Sequence, residues 1–193
     1  MKRITVFCGS SLGTDIIYEN QAIMLGKVLT KHNIGLVYGG ADVGLMGAIA
    51  NSVLKNNGEV IGVLPHFLQQ KEIAHNNLSH LYLVDTMHER KNKMNDLSDG
   101  VIAMPGGFGT LEEFFEMLTW AQLGLHQKPI GILNISGFYN ELLNFIDTMV
   151  NKGFLKNVNR DMILVSDQPD VLIEKMKAYK APNVSKWITK ETN

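Results

Sequence analysis

Short apolar runs alternate with segments of helical periodicity along this chain. The runs are apolar throughout, which is typical of strands that lie in a sheet covered on both faces. Their alternation with helices predicts an α/β fold: a doubly wound, mostly parallel, Rossmann-like sheet with helices on both faces. The predicted strands are Ile4–Phe7, Gly35–Tyr38, Val60–Leu64, Leu81–Val84, Val101–Met104, Ile130–Leu133 and Met162–Val165. The predicted helices are Ile16–Lys31, Leu45–Asn56, Met87–Leu97, Leu111–Leu123, Tyr139–Lys152 and Pro169–Lys177.

Length, charge and cysteine content narrow the classes of protein that fit this chain. A chain of 193 residues is expected to form a single domain, 1–193, with residues 182–193 as a peripheral tail. A net charge of −1 indicates neither a nucleic-acid partner nor a membrane surface. No apolar run approaches the roughly 18 residues of a membrane span. The single cysteine, Cys8, fits a reducing compartment, so we expect a cytoplasmic protein.

Three glycine-rich turns, Cys8–Gly13, Gly39–Gly47 and Pro105–Thr110, follow predicted strands. The carboxyl ends of parallel strands meet at one edge of a sheet, where such folds bind ligands. The turns therefore predict a nucleotide-sized polar site at that edge. The third turn leads into a helix, and backbone N–H groups at a helix N-terminus typically bind a phosphate. The candidate binding residues in the first two turns are Gly9, Ser10, Gly40 and Gly44.

Several well-known nucleotide-binding and hydrolase motifs are absent from the sequence. The first turn does not spell G-x-G-x-x-G, and no acidic residue ends the second strand, which disfavours NAD chemistry. No G-x-x-x-x-G-K-[ST] motif is present, so a P-loop is excluded. Ser10 and Ser11 lie outside any G-x-S-x-G elbow. The histidines show no metal-binding spacing, and the sequence predicts neither a metal nor an organic cofactor.

Arg90 lies on the apolar face of the predicted helix Met87–Leu97. An arginine that faces the protein interior needs an anion, because an unpaired buried charge is strongly unfavourable. Arg90 either extends its guanidinium to solvent, pairs with a structural carboxylate or binds an anionic ligand, and the spacing does not decide among these. Glu89 has a structural explanation, since Thr86-x-x-Glu89 fits a capping box.

Glu113 also has two interpretations. Thr110-x-x-Glu113 fits a capping box with Thr110 as the N-cap of the helix. Alternatively, Glu113 is a functional carboxylate. A capping carboxylate would compete with a phosphate at the glycine turn, and the adjacent Glu112 can interact with the helix dipole by itself. Both interpretations stay open at this point.

These residues lie in motifs of a known family. Residues 105–113, PGGFGTLEE, resemble the PGGxGTxxE signature of the LONELY GUY (LOG) family, phosphoribohydrolases that act on cytokinin nucleotides. Residues 87–91, MHERK, are similar to the M-H-x-R-K segment of the same family. Further similarity at residues 7–11, 38–47, 119–124 and 128–129 extends the resemblance over nearly the whole chain.

The resemblance implies roles for individual residues. Arg90 and Glu113 match the family residues that are essential to catalysis. Some relatives carry a lysine decarboxylase label, but no motif here offers a lysine for a pyridoxal Schiff base. The substrate contacts that the resemblance implies are Glu72, Lys91, Gly107, Phe108, Gly109, Thr110, Leu111, Glu112 and Thr119. Gly106 is a further candidate, because it belongs to the same glycine turn.

The expected reaction is hydrolysis of the N-glycosidic bond of an N6-modified adenosine 5′-monophosphate to the free base and ribose 5-phosphate. Glu113 would stabilise positive charge on the ribose and activate water. Arg90 would either assist the departing base or hold the phosphate. Two alternatives are a nucleosidase for AMP or pyrimidine monophosphates and a nucleotide-binding module without turnover.

A homodimer is also expected, with the active site close to the interface. The resemblance is to the smaller, dimeric members of the family. In addition, two predicted helices carry more apolar surface than one side of a sheet readily covers, which is typical of a protein–protein contact. The apolar residues concerned are Met87, Met94, Phe114, Phe115, Met117 and Trp120.

Overall fold

The computed structural model describes residues 1–69 and 74–182. The implied substrate contact Glu72 and all but the first residue of the predicted tail 182–193 lie outside the described residues. The strands are β1 (Arg3–Phe7), β2 (Gly35–Tyr38), β3 (Val60–Pro65), β4 (His80–Val84), β5 (Gly100–Ala103), β6 (Ile130–Leu133) and β7 (Ile163–Ser166). The α-helices are α1 (Ile16–Lys31), α2 (Gly44–Lys55), α3 (Met87–Leu97), α4 (Phe108–Gln122), α5 (Asn140–Asn151), α6 (Asn157–Arg160) and α7 (Pro169–Ala178). Short 3-10 helices cover His66–Leu68 and Ile135–Gly137.

All of these strands pair in parallel within one sheet, in the order β4-β3-β2-β1-β5-β6-β7. The predicted fold class is therefore confirmed. From β1 the chain proceeds towards one edge of the sheet, and from β5 it proceeds towards the other. The strand order thus reverses between β1 and β5, and this reversal leaves a crevice beyond their carboxyl ends.

Helices cover both faces of the sheet. The core on one face is formed with α1, α2 and α7, and the core on the other with α3, α4 and α5. Successive residues of β1 point to opposite layers, so that Val6 packs in the first core and Phe7 in the second. The neighbouring strands β2 and β5 are buried along their whole length, which explains their uniformly apolar sequences. Within the part of the chain that the structure describes, no helix is long and apolar enough to cross a membrane.

Strand β4 departs from the expectation that helices cover each strand on both faces. It is an edge strand, and its residues His80 to Leu83 are exposed. An edge strand has a neighbour on one side only, so an apolar sequence does not by itself establish that a strand is buried.

The exposed apolar patch predicted on α3 and α4 is not present in the described protomer. Met94, Phe114 and Met117 are at most 2 % exposed and belong to the core between these helices and the sheet. Phe115 and Trp120 are partly buried against the same core, and Met87 is half-buried. The apolar face of the two helices is therefore largely accommodated by the sheet beneath it, and this argument for a dimer was wrong.

Candidate active site

The three glycine-rich turns meet beyond the carboxyl ends of β1, β2 and β5. Gly9 N donates a hydrogen bond to Pro105 O at 3.0 Å, which joins the first turn to the third. Leu45 N donates to Gly9 O at 3.1 Å, which joins the second turn to the first. The turns therefore form one backbone framework at the crevice between β1 and β5.

Gly44 shows why the second turn needs glycine. Its φ of +54° lies in the left-handed region that side chains disfavour. A Cβ atom at this position would also overlap the backbone of Ser10. Both constraints require glycine if the first and second turns are to approach this closely.

Helix α4 begins at Phe108, earlier than predicted. Gly107 is its N-cap, and no side chain caps the helix. Thr110 lies inside the first turn and is buried, so of the two interpretations of Glu113 the capping box with Thr110 is wrong, and a functional carboxylate stays a prediction. The extended backbone of Gly107 allows the helix to start at the glycines themselves. The first N–H groups of α4 therefore have no capping side chain and are available to an anion.

Arg90 projects from α3 into the crevice and is 8 % exposed. Its Nε donates to Val63 O at 3.1 Å, which fixes the guanidinium against β3. Its Nη1 lies 3.5 Å from Glu113 Oε1. This contact is an ion pair at the long end of the range, so the guanidinium retains donors for a ligand.

Gly39 was not among the predicted site residues, although it lies against Arg90. A Cβ atom at Gly39 would overlap Nη2 of Arg90, so the missing side chain leaves room for the guanidinium. The sequence signal was the glycine pair that ends the second strand. This pair predicts a turn but not the contact with Arg90, because that contact joins residues far apart in the chain.

Glu113 is 8 % exposed and lies in the second turn of α4. Its pKa is raised to about 7, chiefly because burial disfavours the charged form. Arg90 and Lys91 lower this pKa, whereas Glu112 and Glu116 raise it. Near neutral pH the carboxyl group is therefore suited to take up and release a proton.

Lys91 is buried as well, being 7 % exposed. Its Nζ lies 2.6 Å from Glu112 Oε1 and 3.0 Å from Glu116 Oε2. Burial lowers the pKa of Lys91, but its hydrogen bond with Glu112 and its ion pair with Glu116 outweigh burial and the net pKa is raised. The side chain is therefore an ammonium ion. Glu116 was not predicted as part of the site, although its i, i+4 spacing from Glu112 could have suggested a shared partner.

A cavity of about 300 Å³ joins many of the predicted site residues. Its walls include Gly9, Ser10, Arg90, Gly107, Phe108, Gly109, Thr110, Glu112 and Glu113. A second cavity of about 340 Å³ adjoins it, with Gly106 in its wall together with Gly9, Ser10 and Gly107. The geometry thus brings a helix N-terminus, a guanidinium and a carboxyl group of raised pKa to one crevice.

Other predicted site residues lie elsewhere. Gly40 and Gly44 shape the second turn and do not line this cavity. Leu111 packs against the core, and Lys91 faces the two carboxylates described above. Thr119 lies further along α4, in a groove of about 170 Å³ that is shared with residues of α5.

Known proteins resemble this chain over most of its length. Residues 46–176 match the family described as "Possible lysine decarboxylase". A rice protein named as a probable cytokinin riboside 5′-monophosphate phosphoribohydrolase, LOGL2, is 47 % identical over 98 % of this chain and 77 % of its own length. The Arabidopsis thaliana phosphoribohydrolase LOG1 is 47 % identical over 92 % of this chain and 84 % of its own length. The chain belongs to the LOG family. The resemblance inferred from the sequence motifs is thereby confirmed.

Solved structures with a related fold are more distant from this LOG-family chain. A molybdenum cofactor binding protein from Rippkaea orientalis has a TM-score of 0.68 and 24 % identity, over 92 % of this chain and 97 % of its own. The molybdenum cofactor carrier protein of Chlamydomonas reinhardtii has a TM-score of 0.69 and 21 % identity, over 92 % and 98 % of the two chains. These similarities support the fold alone.

Proposed function

We infer that this protein hydrolyses the N-glycosidic bond of cytokinin riboside 5′-monophosphates, releasing the free base and ribose 5-phosphate. The observation that carries the proposal is the buried pair of Arg90 and Glu113 beside the uncapped start of α4. A phosphate-binding backbone and a carboxyl group suited to proton transfer are the two parts that such a reaction needs. Relatives that are 43–47 % identical and bear the phosphoribohydrolase name support the same conclusion.

Glu113 is proposed as the group that activates water. Cleavage of the C1′–N9 bond leaves positive charge on the ribose and sends the electron pair to the base. Water adds its hydroxyl to C1′ and gives a proton to ionised Glu113. That proton then passes from Glu113 to the departing base, which returns the carboxylate to its ionised form. A carboxylate beside the ribose also stabilises the developing positive charge.

Arg90 is proposed to act at the base side of the same bond. Its guanidinium is 3.5 Å from the Glu113 carboxylate, so both groups border one reacting centre. The start of α4 already supplies donors for the phosphate. A fixed positive charge near the base would stabilise the electron pair that leaves with it. Gly107, Phe108, Gly109 and Thr110 would hold the 5′-phosphate and thereby position C1′.

The description "Possible lysine decarboxylase" does not account for the site. A lysine that forms a Schiff base must be readily deprotonated. Lys91 is instead held as an ammonium ion by Glu112 and Glu116. The geometry favours nucleotide hydrolysis over decarboxylation of an amino acid.

We also propose a homodimer. The reason is the position of Thr119 and not the apolar surface of α3 and α4. The family resemblance implies that Thr119 contacts substrate, but Thr119 lies six residues beyond Glu113, about 9 Å along the helix, and in another groove. A second copy across a two-fold axis would bring its own Thr119 to the crevice. Light scattering should then give about twice the chain mass of 21.5 kDa.

Mixing two variants tests the shared site directly. Arg90→Ala and Thr119→Arg should each impair turnover. A mixed dimer contains one site with both residues intact, so activity should return on mixing. A monomer with full activity, or a fully active Thr119→Arg variant, would rule out the shared site.

The function itself is tested by release of free base from purified protein. The substrates are isopentenyl-AMP, AMP and cytidine monophosphate, and chromatography measures the base. Isopentenyl-AMP should be the best of the three. Faster release from AMP or cytidine monophosphate would support a general nucleotide nucleosidase, and binding without release would support a non-catalytic module. A cytoplasmic location stays a prediction, which fractionation of the source cells would test.

A further inference from the structure

Adjacent cations on α3 pair with different carboxylates on α4. Arg90 Nη1 lies 3.5 Å from Glu113 Oε1. Lys91 Nζ instead contacts Glu112 at 2.6 Å and Glu116 at 3.0 Å. Among the described residues, no ion pair within 4.0 Å joins Lys91 to Glu113.

Stability alone is a poor explanation for the second carboxylate on Lys91. Glu112 already neutralises the ammonium at 2.6 Å. The side chain of Glu116 is only 22 % exposed, so its carboxylate loses much of its hydration, which is costly. It also adds negative charge beside Glu112 and Glu113. An arrangement of two cations with three carboxylates therefore calls for another explanation.

We propose that Glu116 is a positioning residue for Glu113: together with Glu112 it holds the Lys91 ammonium on its own side of α4, so that Arg90 remains the only cation among the described residues that pairs with Glu113. This proposal rests on the proposed function, since it assigns Glu116 a role in the work of Glu113. Glu116 acts through Lys91 and touches no part of the substrate. It would keep Glu113 a stronger base than it would be with two cations.

The charged and titratable groups around Glu113 determine whether its pKa rises or falls when Glu116 is replaced. Cys8 faces it from the first turn, just after β1, Arg90 and Lys91 from α3, and Glu112 and Glu116 from α4 itself. The Cys8 thiol has a pKa raised by burial and stays neutral. Loss of the Glu116 charge removes a contribution that raises the pKa of Glu113. It also frees Lys91 to approach Glu113, which lowers the same pKa further.

The test is the pH dependence of kcat/KM for isopentenyl-AMP in Glu116→Gln, measured from about pH 5 to about pH 9. The midpoint of the acid limb should move down by about half a unit to one unit. Lys91→Met should raise the midpoint of the acid limb, because the negative charges of Glu112 and Glu116, no longer neutralised by Lys91, then disfavour ionisation of Glu113. Combining the two substitutions should bring the midpoint back towards its original value.

The matched control is Glu174→Gln on α7, an exposed glutamate that pairs with Lys177 on the opposite face of the sheet. It removes the same charge and should leave the midpoint in place. A lower melting temperature for Glu116→Gln with an unchanged midpoint would show that Glu116 is only structural, and would overturn the proposal.

A direct titration of Glu113 separates this proposal from the proposed function. Carbon NMR of labelled glutamate carboxyl groups reports the pKa of Glu113 in the free protein, with the signal assigned from Glu113→Gln. The same downward shift in Glu116→Gln should appear there. That shift in a protein without turnover would support the positioning role while refuting the function, whereas turnover with no shift would refute the positioning role alone.

Discussion

Arg90 and Glu113 face each other across the gap between α3 and α4, with 3.5 Å between Nη1 and Oε1. Both residues are 8 % exposed, and both border the cavity at the start of α4. A buried ion pair of this kind is not by itself evidence of a stabilising contact. Because the pair lies at the carboxyl edge of a doubly wound sheet, where such folds bind their ligands, it is instead a candidate for a catalytic role.

Glu113→Gln should keep the fold and lose turnover. Glu113 caps no helix, so α4 should still begin at Phe108. Loss of the proton-accepting carboxylate should lower kcat by at least about a hundredfold. Base release gives the rate, and circular dichroism checks the fold. Near-normal turnover would exclude Glu113 as the group that activates water.

The same substitution should change how stability depends on pH. The pKa of Glu113 is raised in the folded protein, so its contribution to stability is fully present below its ordinary pKa of 4.5 and is lost as pH rises through about 7. Gln cannot ionise, and it avoids this loss. The free energy of unfolding of the variant relative to the parent protein should therefore increase by up to about 3 kcal/mol between acidic and mildly alkaline pH. Urea unfolding at several pH values measures the difference. A difference that is constant with pH would contradict the raised pKa.

Gly39→Ala should impair catalysis through Arg90. The added methyl would overlap Nη2, and the displaced guanidinium should lower kcat/KM by about tenfold to a hundredfold. In an Arg90→Ala background, the same substitution should have little further effect, because the clash is gone. Equal losses in both backgrounds would show that Gly39 acts on the backbone and not on Arg90.

Arg90→Lys should not restore the activity lost in Arg90→Ala. The Nε of Arg90 is engaged with Val63 O while its terminal nitrogens face the cavity, and an ammonium cannot do both. Steady-state kinetics of the two variants makes the comparison. A well-functioning lysine variant would mean that only generic positive charge is needed.

The enzyme should require a 5′-phosphate. The uncapped N–H groups at the start of α4 would lack a partner when a nucleoside binds, and hydrogen bonds to charged groups contribute about 1.5–3 kcal/mol each. Isopentenyl-adenosine should therefore react at least about a hundredfold more slowly than its monophosphate. Ribose 5-phosphate should compete with substrate. Equal rates for nucleoside and nucleotide would place the anchor elsewhere.

Local periodicity was sufficient to predict much of the fold. The bounds of Ile16–Lys31, Gly35–Tyr38, Met87–Leu97 and Ile130–Leu133 agree with the structure. Each of these elements has an apolar pattern that is determined by its own residues and its immediate surroundings in the sheet. The grouping of the glycine turns at one sheet edge was also predictable, because parallel strands place their carboxyl ends together.

The Thr-x-x-Glu pattern occurs twice in this chain but caps only one helix. At Thr86 it is a real cap, since Thr86 Oγ1 accepts a hydrogen bond from Glu89 N at 3.1 Å. At Thr110 the same pattern lies inside a helix that starts at the preceding glycines. The difference arises because the extended backbone of Gly107 lets α4 start before Thr110, and the side chain of Glu113 instead meets Arg90 on another helix. Contacts between distant segments, including those of Gly39 and Lys91, cannot be deduced from spacing along the chain.

The hydrogen bonds that join the three turns suggest that phosphate binding and base selection depend on different parts of the molecule. The hydrogen bonds from Gly9 N to Pro105 O and from Leu45 N to Gly9 O involve main-chain atoms alone. The backbone that we propose as the phosphate site is therefore fixed without any side chain. Side chains at the rim, such as the largely exposed Phe108, are not part of that framework. Substitution of exposed side chains such as Phe108 during evolution would therefore change the preferred base without changing how the protein binds the ribose phosphate.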